Sequence, residues 1–313
     1  MSDKTEQFIE KIKSIYPSNW EEVIKTHYNL PPKTFRINTL LSSEKEVLDL
    51  LKEESFEIIK ADIPNAYICL NSTEDHKISD SKVHLENKIY IQELSSMLPA
   101  LALNPQKGDE ILDMCAAPGS KTTQLGILTN NQVNIVAVEK STSRFFKMNE
   151  IIKNQGVKNV KTILTDGNRL ITQKREYFEH FDKVIVDVPC SNEGSLDLSH
   201  TSTLKFWSGK EAKRISKLQK GLLNNAVKML KKGGTLIYST CTYSVEENEI
   251  VLDWLLKRYS DIKIVKSDLK LDNLVPALTE WKEKKLNPQI KNAVRVLPDG
   301  KFKGFFIAKI VKY

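Results

Sequence analysis

Two cysteines occupy short motifs at the ends of two predicted strands. Cys190 lies in the segment DVPCSNEGS, and Cys241 lies in LIYSTCTYSVEENE. Because the carboxyl ends of parallel strands meet at one edge of a sheet, both thiols are expected to face one cleft. Either cysteine alone is typical of an inert buried thiol. The two motifs together predict a functional thiol pair, and a thiol becomes a nucleophile when it ionises.

A third segment, ILDMCAAPGSKTTQL at 111–125, has the form of a nucleotide-cofactor loop. Its small residues let the backbone approach a ligand at the amino terminus of a helix. GxGxxG is absent, and Ser120 and Cys115 replace the glycines of a P-loop, so neither of those motifs applies. The residues predicted to bind the cofactor here are Cys115, Ala116, Ala117, Pro118, Gly119, Ser120 and Lys121. Simple packing of Cys115 and an anchoring role for Lys121 are the alternatives.

Acidic residues follow three successive predicted strands: Glu139 after NIVAV, Asp166 after VKTILT and Asp187 after KVIV. In an open α/β sheet the carboxyl ends of the strands form the ligand crevice, and a carboxylate about 20 residues after the loop suits a ribose diol. Glu139 has that spacing, and Asp166 is placed to reach an adenine amino group. One such acid is more often a helix cap or a solvated loop residue, but three in series after this loop favour S-adenosylmethionine.

The composition of the 313 residues restricts the class of protein. A hydrophobic fraction of 40% and a charged fraction of 28% are typical of a globular chain. The sequence has no run of 18 apolar residues and begins with the polar MSDKTEQFIEKIK, so neither a membrane span nor a signal peptide is expected. Four cysteines without a CxxC pair predict reduced thiols and a cytoplasmic protein. The scattered histidines predict no metal site.

The net charge of +7 is unevenly distributed. Residues 1–85 hold 11 basic and 15 acidic side chains, whereas residues 86–313 hold 36 and 25. The stretch 205–232 has nine basic residues and one acidic residue, and 257–313 has fourteen and six. Clustered positive charge is the usual footprint of binding to a phosphate backbone. A lysine-rich surface that serves only solubility is the alternative.

The elements that would position these residues follow from the hydrophobic periodicity. From residue 110 onward strands alternate with helices, which predicts a parallel sheet with helices on both faces. Strands are predicted at 110–115, 134–139, 160–165, 183–188, 234–240, 262–267 and 302–311. Helices are predicted at 119–129, 142–155, 210–231 and 245–259. Ser244 and Glu247 are predicted to form a capping box at the start of the last helix.

A smaller unit is predicted before that sheet. Residues 1–30 have the spacing of short helices. A β-α-β-β unit follows, and Cys69 on its last strand is expected to be a packing residue; the predicted segments are 34–41, 43–55, 56–62 and 66–71. The polar stretch 71–82 is the predicted linker. The expected domains are therefore a small α+β domain at 1–85 and an α/β domain at 86–313.

Together these motifs resemble the Nop/Sun (RsmB/RsmF-like) family of RNA cytosine-C5 methyltransferases. The resemblance covers roughly residues 30–313 and rests on DMCAAPGSKTTQL, AVEKSTSR, ILTDGNR, DVPCSNEGS and STCTYSVEENE, preceded by FRINTL and IQELSSMLPALAL. It implies a class I S-adenosylmethionine-dependent methyltransferase fold, which is Rossmann-like, behind a small RRM-like RNA-binding domain. It also implies an enzyme that forms 5-methylcytosine in ribosomal or transfer RNA, with ribosomal RNA favoured. We expect a monomer with no membrane association.

The resemblance also assigns roles to individual residues. Cys241 would be the nucleophile that adds to carbon 6 of the target cytosine, which lets carbon 5 attack the methyl sulfonium. Asp187 would hold the base at ring nitrogen 3 and its amino group, besides lining the cofactor site, and Cys190 would assist release. Val188 stands where the family usually has Ala, and Asn192 stands where it usually has Gly. Asn can adopt a left-handed backbone, so the turn is expected to persist.

Two other functions remain open at this point. A DNA cytosine methyltransferase would use the Pro-Cys cysteine, Cys190, as its nucleophile, and Cys241 would be dispensable. A non-catalytic RNA-binding factor would keep the fold, but it would have no need of two thiols. Methyl transfer to bulk RNA distinguishes such a factor from an enzyme.

Overall fold

The computed structural model describes residues 3–205 and 207–313. In chain order its α-helices are α1 (Asp3–Ile15), α2 (Trp20–Tyr28), α3 (Glu44–Glu53), α4 (Lys82–Leu85), α5 (Leu94–Leu103), α6 (Ser120–Leu128), α7 (Thr142–Asn154), α8 (Gly167–Gln173), α9 (Gly209–Met229) and α10 (Glu249–Arg258). Its β-strands are β1 (Lys33–Ile37), β2 (Ile58–Lys60), β3 (Ala66–Cys69), β4 (Ile89–Ile91), β5 (Glu110–Asp113), β6 (Asn134–Glu139), β7 (Val160–Leu164), β8 (Phe181–Asp187), β9 (Leu230–Thr240), β10 (Ile262–Val265), β11 (Leu274–Pro276), β12 (Glu280–Trp281), β13 (Lys284–Lys285), β14 (Val294–Val296) and β15 (Phe305–Lys312). Within these ranges no helix has both the length and the apolar character needed to cross a membrane.

The larger sheet has the strand order β11-β14-β15-β9-β8-β5-β6-β7, and β10 pairs with β15. The strands from β9 to β7 are parallel, and β15 joins β9 antiparallel. β8 is apolar through Val184, Ile185 and Val186, all fully buried, as expected of a parallel strand covered on both faces. The strands predicted from 110 to 240 and the carboxyl-terminal strand pair are confirmed, and so is the α/β class.

The parallel strands bring their last residues to one edge of this sheet. β5, β6, β8 and β9 end at Asp113, Glu139, Asp187 and Thr240. β5 lies between β6 and β8, so the chain order runs in opposite directions on its two sides. Ligands of open α/β sheets bind outside the strand carboxyl ends at such a reversal. The fold therefore directs attention to this edge, which we call the strand edge.

A four-stranded sheet of order β2-β3-β1-β4 forms the small unit. Helix α3 follows Ser43, whose side chain accepts a hydrogen bond from the Glu46 amide, and it packs Val47 and Leu51 into the core of the unit. Cys69 is buried in the same core, as predicted. The sequence predicted the first three strands and α3 but not β4, because the small unit was expected to end at residue 85, before this strand begins.

The polar segment 71–82 packs on the small unit and is not an extended linker. Ile78 is buried in the core that contains Phe35 and Val83. Ser81 begins α4, since its side chain accepts a hydrogen bond from the His84 amide. One apolar anchor within a polar run is enough to dock the segment. The domain boundary at 85/86 stays a prediction, and β4 lies beyond it while pairing with β1.

The helices predicted within residues 1–30 are α1 and α2. Phe8 and Ile12 of α1 belong to the core cluster that contains Leu196, Leu204 and Tyr243 of the larger part. The apolar positions of this helical pair are thus buried beside the segments that follow β8 and β9. The amino-terminal helices support the strand edge directly.

Helix α10 begins later than the sequence predicted. Its N-cap is Asn248 and its first residue is Glu249, while residues 245–248 form a turn. The capping box of Ser244 and Glu247 is therefore wrong. Glu247 is fully buried, and its carboxyl oxygens contact the Ser191 amide and Ser191 Oγ, so it is not free to cap a helix.

Candidate active site

The sulfur atoms of Cys190 and Cys241 lie 3.0 Å apart. β8 and β9 are parallel neighbours with Asp187 opposite Ser239, so the residues that follow both strands emerge side by side. Asn192 keeps the predicted left-handed backbone, with φ of 56°, and its Oδ1 lies 3.0 Å from the Cys241 sulfur. The structure therefore brings the two predicted thiols together at the strand edge.

The two thiols are not equivalent. The hydrogen bond with Cys241, together with burial, raises the pKa of the Cys190 thiol well above its ordinary value. A Cys190 that keeps its proton can donate it to the Cys241 sulfur, and a hydrogen-bond donor stabilises a thiolate. The arrangement can therefore present Cys241 as the nucleophilic sulfur.

Asp187, the last residue of β8, is held from both sides. Its Oδ2 lies 2.7 Å from the Lys121 ammonium, and its Oδ1 accepts a hydrogen bond from Ser239 Oγ at 2.7 Å. Lys121 is only 6% exposed and also donates to Ser96 Oγ at 2.7 Å. These contacts fix the direction of the Asp187 carboxyl group. They also give Lys121 an anchoring role, which is the alternative to cofactor binding raised by the sequence.

The loop between β5 and α6 is compact. Gly119 has φ of +105°, a left-handed conformation that favours glycine, and a Cβ there would meet the Met148 side chain at 3.4 Å. The Ala116 amide donates to the Val138 carbonyl at 2.9 Å, which joins the loop to β6. Helix α6 begins at Ser120. The loop backbone and the amino terminus of α6 thus lie at the strand edge.

Asp113 is a site residue that the sequence analysis did not single out. It ends β5, is 1% exposed, and its Oδ2 accepts a hydrogen bond from Thr122 Oγ1 at 2.7 Å. Its Oδ1 is buried and has no hydrogen-bond partner among the described residues. Burial raises the pKa of this carboxyl group to about 6. The available signal was the one used for the other acids, a carboxylate at the end of a strand.

A cleft of about 410 Å³, which we call the loop cleft, lies between the small sheet and the loop. The small sheet and the residue after it contribute Tyr90 and Gln92. The predicted site residues in its wall are Cys115, Ala116, Ala117, Pro118, Ser120, Lys121 and Asp187, and Asp113 joins them. Seven of the predicted residues thus face one space, and the small unit closes it.

A second cleft, the acid cleft, is lined by Glu139, Asp166 and Pro189. Cys115 and Arg144 line both clefts, so the two spaces adjoin. Burial raises the pKa of the Cys115 thiol, which fits a wall residue better than a reactive thiolate. The predicted cofactor residues therefore lie along two adjoining clefts.

Each acid of the acid cleft has one oxygen engaged by the backbone. Glu139 Oε1 accepts hydrogen bonds from the next two amides, that of Ser141 at 2.8 Å, and its Oε2 is 3.6 Å from Arg144. Asp166 Oδ1 accepts from the Asn168 amide at 2.9 Å and caps α8. One oxygen of Asp166 therefore caps a helix, which is the alternative role considered for these acids. Each of the two carboxylates has a second oxygen that these backbone amides do not engage.

Two buried glutamates behind the thiols were missed as site residues. Glu193 is 1% exposed, and Glu247 is 0% exposed. Glu193 accepts hydrogen bonds from Lys11 Nζ at 2.6 Å and Thr242 Oγ1 at 2.9 Å, and Glu247 Oε1 lies 2.5 Å from Ser191 Oγ. Both lie inside the cysteine motifs, which was the only signal the sequence offered.

Some cations of the two basic stretches form ion pairs with acids, whereas others are exposed. Arg295 is buried in an ion pair with Glu249. Other cations of 257–313 that pair with acids are Lys257, Lys284, Lys301, Lys303, Lys309 and Lys312. Lys213 and Lys217 of α9 are exposed. The candidates for phosphate contacts are therefore fewer than the charge count suggested, and α9 carries two of them.

Comparison with known proteins gives matches over almost the whole chain. The family model described as 16S rRNA methyltransferase RsmB/F matches residues 100–311. A model described as an RsmF/B-like methyltransferase ferredoxin-like domain matches residues 6–76. The ribosomal RNA small subunit methyltransferase F of Vibrio campbellii is 34% identical over 98% of this chain and 63% of its own length. This chain thus spans just under two thirds of that relative.

Two archaeal proteins match over most of their own length. The tRNA (cytosine(49)-C(5))-methyltransferase of Pyrococcus abyssi is 36% identical over 89% of this chain and 88% of its own. A solved structure of a methyltransferase homologue protein from Pyrococcus horikoshii is 31% identical, with a TM-score of 0.83 over 97% of this chain and 94% of that one. The predicted fold, an α/β methyltransferase behind a small amino-terminal domain, is confirmed by these matches.

Proposed function

Because this chain belongs to the family of 16S rRNA methyltransferases RsmB/F, we propose that it methylates carbon 5 of cytosine in RNA with S-adenosylmethionine as the methyl donor. The observation that carries the proposal is the pair of sulfur atoms 3.0 Å apart. Asp187, three residues before Cys190 in the sequence, ends β8 and lines the loop cleft. A binding factor has no use for this arrangement, whereas a reaction that forms and breaks a bond to sulfur does.

The two adjoining clefts fit an elongated nucleoside with an amino-acid tail. Glu139 and Asp166 in the acid cleft offer carboxylate oxygens for a ribose diol and an adenine amino group. The unpartnered Oδ1 of Asp113 supports a donor in the loop cleft, since buried polar atoms are normally paired. When bound, S-adenosylmethionine supplies an electrophilic methyl group on a positively charged sulfur.

In the proposed reaction the Cys241 thiolate adds to carbon 6 of the cytosine. The bond electrons displaced from the ring double bond make carbon 5 nucleophilic, and carbon 5 takes the methyl group, whose bond to the donor sulfur breaks to leave a neutral thioether. Asp187, held by Lys121 and Ser239, would bond ring nitrogen 3 and the amino group of the base. The fixed carboxyl group orients the ring so that carbon 6 faces the sulfur.

Release needs transfer of the carbon-5 proton to a water molecule and cleavage of the bond between carbon 6 and sulfur. The electron pair of the carbon-hydrogen bond restores the ring double bond, and the Cys241 thiolate leaves. Cys190 would assist this step, since its sulfur is the neighbour of the leaving sulfur. Protonated Cys190 can donate to the departing thiolate, which the raised pKa of Cys190 supports.

Two cysteine variants test these roles. Cys241→Ala should abolish both methylation and the covalent complex with RNA, because no sulfur adds to the ring. Cys190→Ala should accumulate a denaturant-resistant adduct, because addition proceeds while release stalls. Gel electrophoresis of each variant with RNA and S-adenosylmethionine separates the cases. Cys69→Ala, in β3 of the small sheet, is the matched control that removes a thiol remote from the site.

The same gel decides between the competing functions. An adduct in Cys241→Ala but not in Cys190→Ala would reverse the roles and favour the DNA-methyltransferase logic. Full activity in both variants would contradict the two-thiol mechanism.

The substrate we propose is ribosomal RNA, with transfer RNA as the alternative, since relatives of both kinds match this chain. Bisulfite sequencing of RNA from a deletion strain, with the protein restored as control, identifies the modified cytosine.

A further inference from the structure

A chain of hydrogen-bonding oxygens crosses between the two cysteine segments. Glu247 Oε1 lies 2.5 Å from Ser191 Oγ, Ser191 Oγ lies 2.7 Å from Thr242 Oγ1, and Thr242 Oγ1 lies 2.9 Å from Glu193 Oε2. Ser191 directly follows Cys190, and Thr242 directly follows the second cysteine. The contact between the two hydroxyl groups therefore links the two thiol-bearing segments, and we call this contact the crossbar.

The three contacts need three hydrogens. Each hydroxyl group brings one, and an ionised carboxylate brings none. With both carboxyl groups ionised, Ser191 and Thr242 would each donate outward, and the contact of 2.7 Å between their oxygens would hold no hydrogen. Thr242 Oγ1 also accepts from the Ser244 amide at 3.2 Å, a bond that leaves the count of hydroxyl hydrogens unchanged. One additional proton on a carboxyl group completes the chain.

The surroundings of the two carboxyl groups show where that proton resides. Glu193 meets the Lys11 ammonium at 2.6 Å and Trp207 Nε1 at 2.7 Å, so a cation and an N–H donor face its carboxyl group. The other donors to Glu247 are neutral, the Ser191 amide at 3.0 Å and the Gln219 amide at 2.9 Å. Burial raises the pKa of Glu247, and the charge of Glu193 acts in the same direction.

We propose that Glu247 is a positioning residue that carries a proton in the resting site. Its hydroxyl group donates to Ser191, Ser191 donates to Thr242, and Thr242 donates to Glu193. This one-way chain holds the segment after β8 against the segment after β9 and so maintains the spacing of the two sulfur atoms. The consequence for catalysis rests on the proposed function, whereas the location of the proton does not.

The crossbar depends on pH in a defined direction. The folded-state pKa of Glu247 lies above its unfolded value, so its stabilisation is complete below the ordinary glutamic acid pKa and is lost as the pH rises through the folded value. The other titratable groups that face it are Glu193, Cys190 and Tyr238, whose hydroxyl group donates to the Glu247 carbonyl at 2.5 Å. A rise in pH through that folded value therefore loosens the link between the thiol segments.

Infrared spectroscopy of the whole protein at neutral pH tests the proton without any substrate. The wild type should show the C=O stretch of a protonated carboxyl group that is missing in Glu247→Gln. Glu150→Gln, the same substitution at an exposed acid of α7, is the control, and it should retain the band. Absence of a difference between the wild type and Glu247→Gln would overturn the proposal.

Steady-state kinetics on unmodified ribosomal RNA test the positioning role. A glutamine at 247 can donate to Ser191 Oγ and accept from the Ser191 amide, whereas an alanine can do neither. We expect Glu247→Gln to retain at least ten-fold more kcat than Glu247→Ala at equal S-adenosylmethionine saturation, and to lose less kcat toward alkaline pH than the wild type. Equal kcat in the two variants would overturn the positioning role. If the wild type transfers no methyl group, the proposed function fails, and the infrared result still decides the proton.

Discussion

At the scale of single residues, the acids of the strand edge are held by different partners. Asp187 is fixed by an ammonium group and a hydroxyl group, those of Lys121 and Ser239. Glu139, which lines the acid cleft, has its Oε1 fixed by two backbone amides and its Oε2 3.6 Å from Arg144. Because backbone donors hold Glu139 without neutralising its charge, this carboxylate can accept further hydrogen bonds from a ligand.

Glu139→Ala is expected to weaken S-adenosylmethionine binding. Loss of one partner of a buried hydrogen bond costs about 1–3 kcal/mol, which corresponds to roughly 5- to 150-fold in Kd. Titration calorimetry with the purified protein measures this change. Glu150→Ala, which removes an exposed acid from α7, is the control and should bind as the wild type does. Unchanged affinity in Glu139→Ala would remove Glu139 from the cofactor site.

At the scale of elements, helix α9 joins the site to a basic surface. On its inner side Gln219 donates to the Pro189 carbonyl at 3.0 Å and to Glu247 at 2.9 Å, which supports the Pro-Cys turn. On its outer side Lys213 and Lys217 are exposed. The helix can therefore hold the thiol segment in place while it presents cations to a phosphate backbone.

The charge-reversal variant Lys213→Glu/Lys217→Glu is expected to lower RNA affinity. Each phosphate contact with a single strand contributes a slope of roughly 0.7 to the dependence of log affinity on log salt, so two lost contacts should reduce the slope by about 1.4. Filter binding at several salt concentrations measures the slope. Lys153→Glu/Lys158→Glu, at and just after the end of α7 and outside both basic stretches, is the matched control. A slope equal to that of the wild type would assign the α9 lysines to solubility alone.

At the scale of the whole molecule, Arg295 joins parts that are distant in the sequence. This β14 residue forms a bidentate ion pair with Glu249 of α10, with distances of 2.7 and 2.6 Å. Its Nη1 also donates to the Tyr16 hydroxyl group at 3.2 Å and the Tyr243 carbonyl at 3.0 Å. One buried side chain therefore links the amino-terminal helices, the segment after Cys241 and the last third of the chain.

Arg295→Met is expected to destabilise the fold strongly. The substitution leaves the Glu249 carboxylate buried without its cation, and breaking a buried ion pair in this way costs about 3–5 kcal/mol. Urea unfolding followed by fluorescence measures the change in the free energy of unfolding. Lys301→Met, which removes an exposed pair with Asp62, is the control and should cost at most about 1 kcal/mol. A similar cost in both variants would contradict the linking role of Arg295.

Most of the elements could be predicted from the sequence, and the failures have identifiable causes. The parallel strands from β5 to β9 are apolar and separated by helical periods, so local patterns were sufficient. β4 was missed because the small unit was expected to end at residue 85, and its pairing with β1 depends on a contact between distant segments. Glu247 was assigned to a capping box because its spacing from Ser244 fits that motif, but burial against Ser191 gives it another partner. Rules based on residue spacing alone do not include a hydrogen-bond partner from a distant segment of the chain.

The sequence by itself determined the order of the elements and the residue types that arrive at the strand edge. Periodicity, the small-residue loop and the strand-end acids are local signals, so they can be read without coordinates. Only the tertiary structure decided that the sulfur atoms of two cysteines 51 residues apart lie 3.0 Å from each other. It also decided which cations are paired, and it revealed the proton count between Glu193 and Glu247. These properties depend on strand register and burial, which arise from contacts between distant segments.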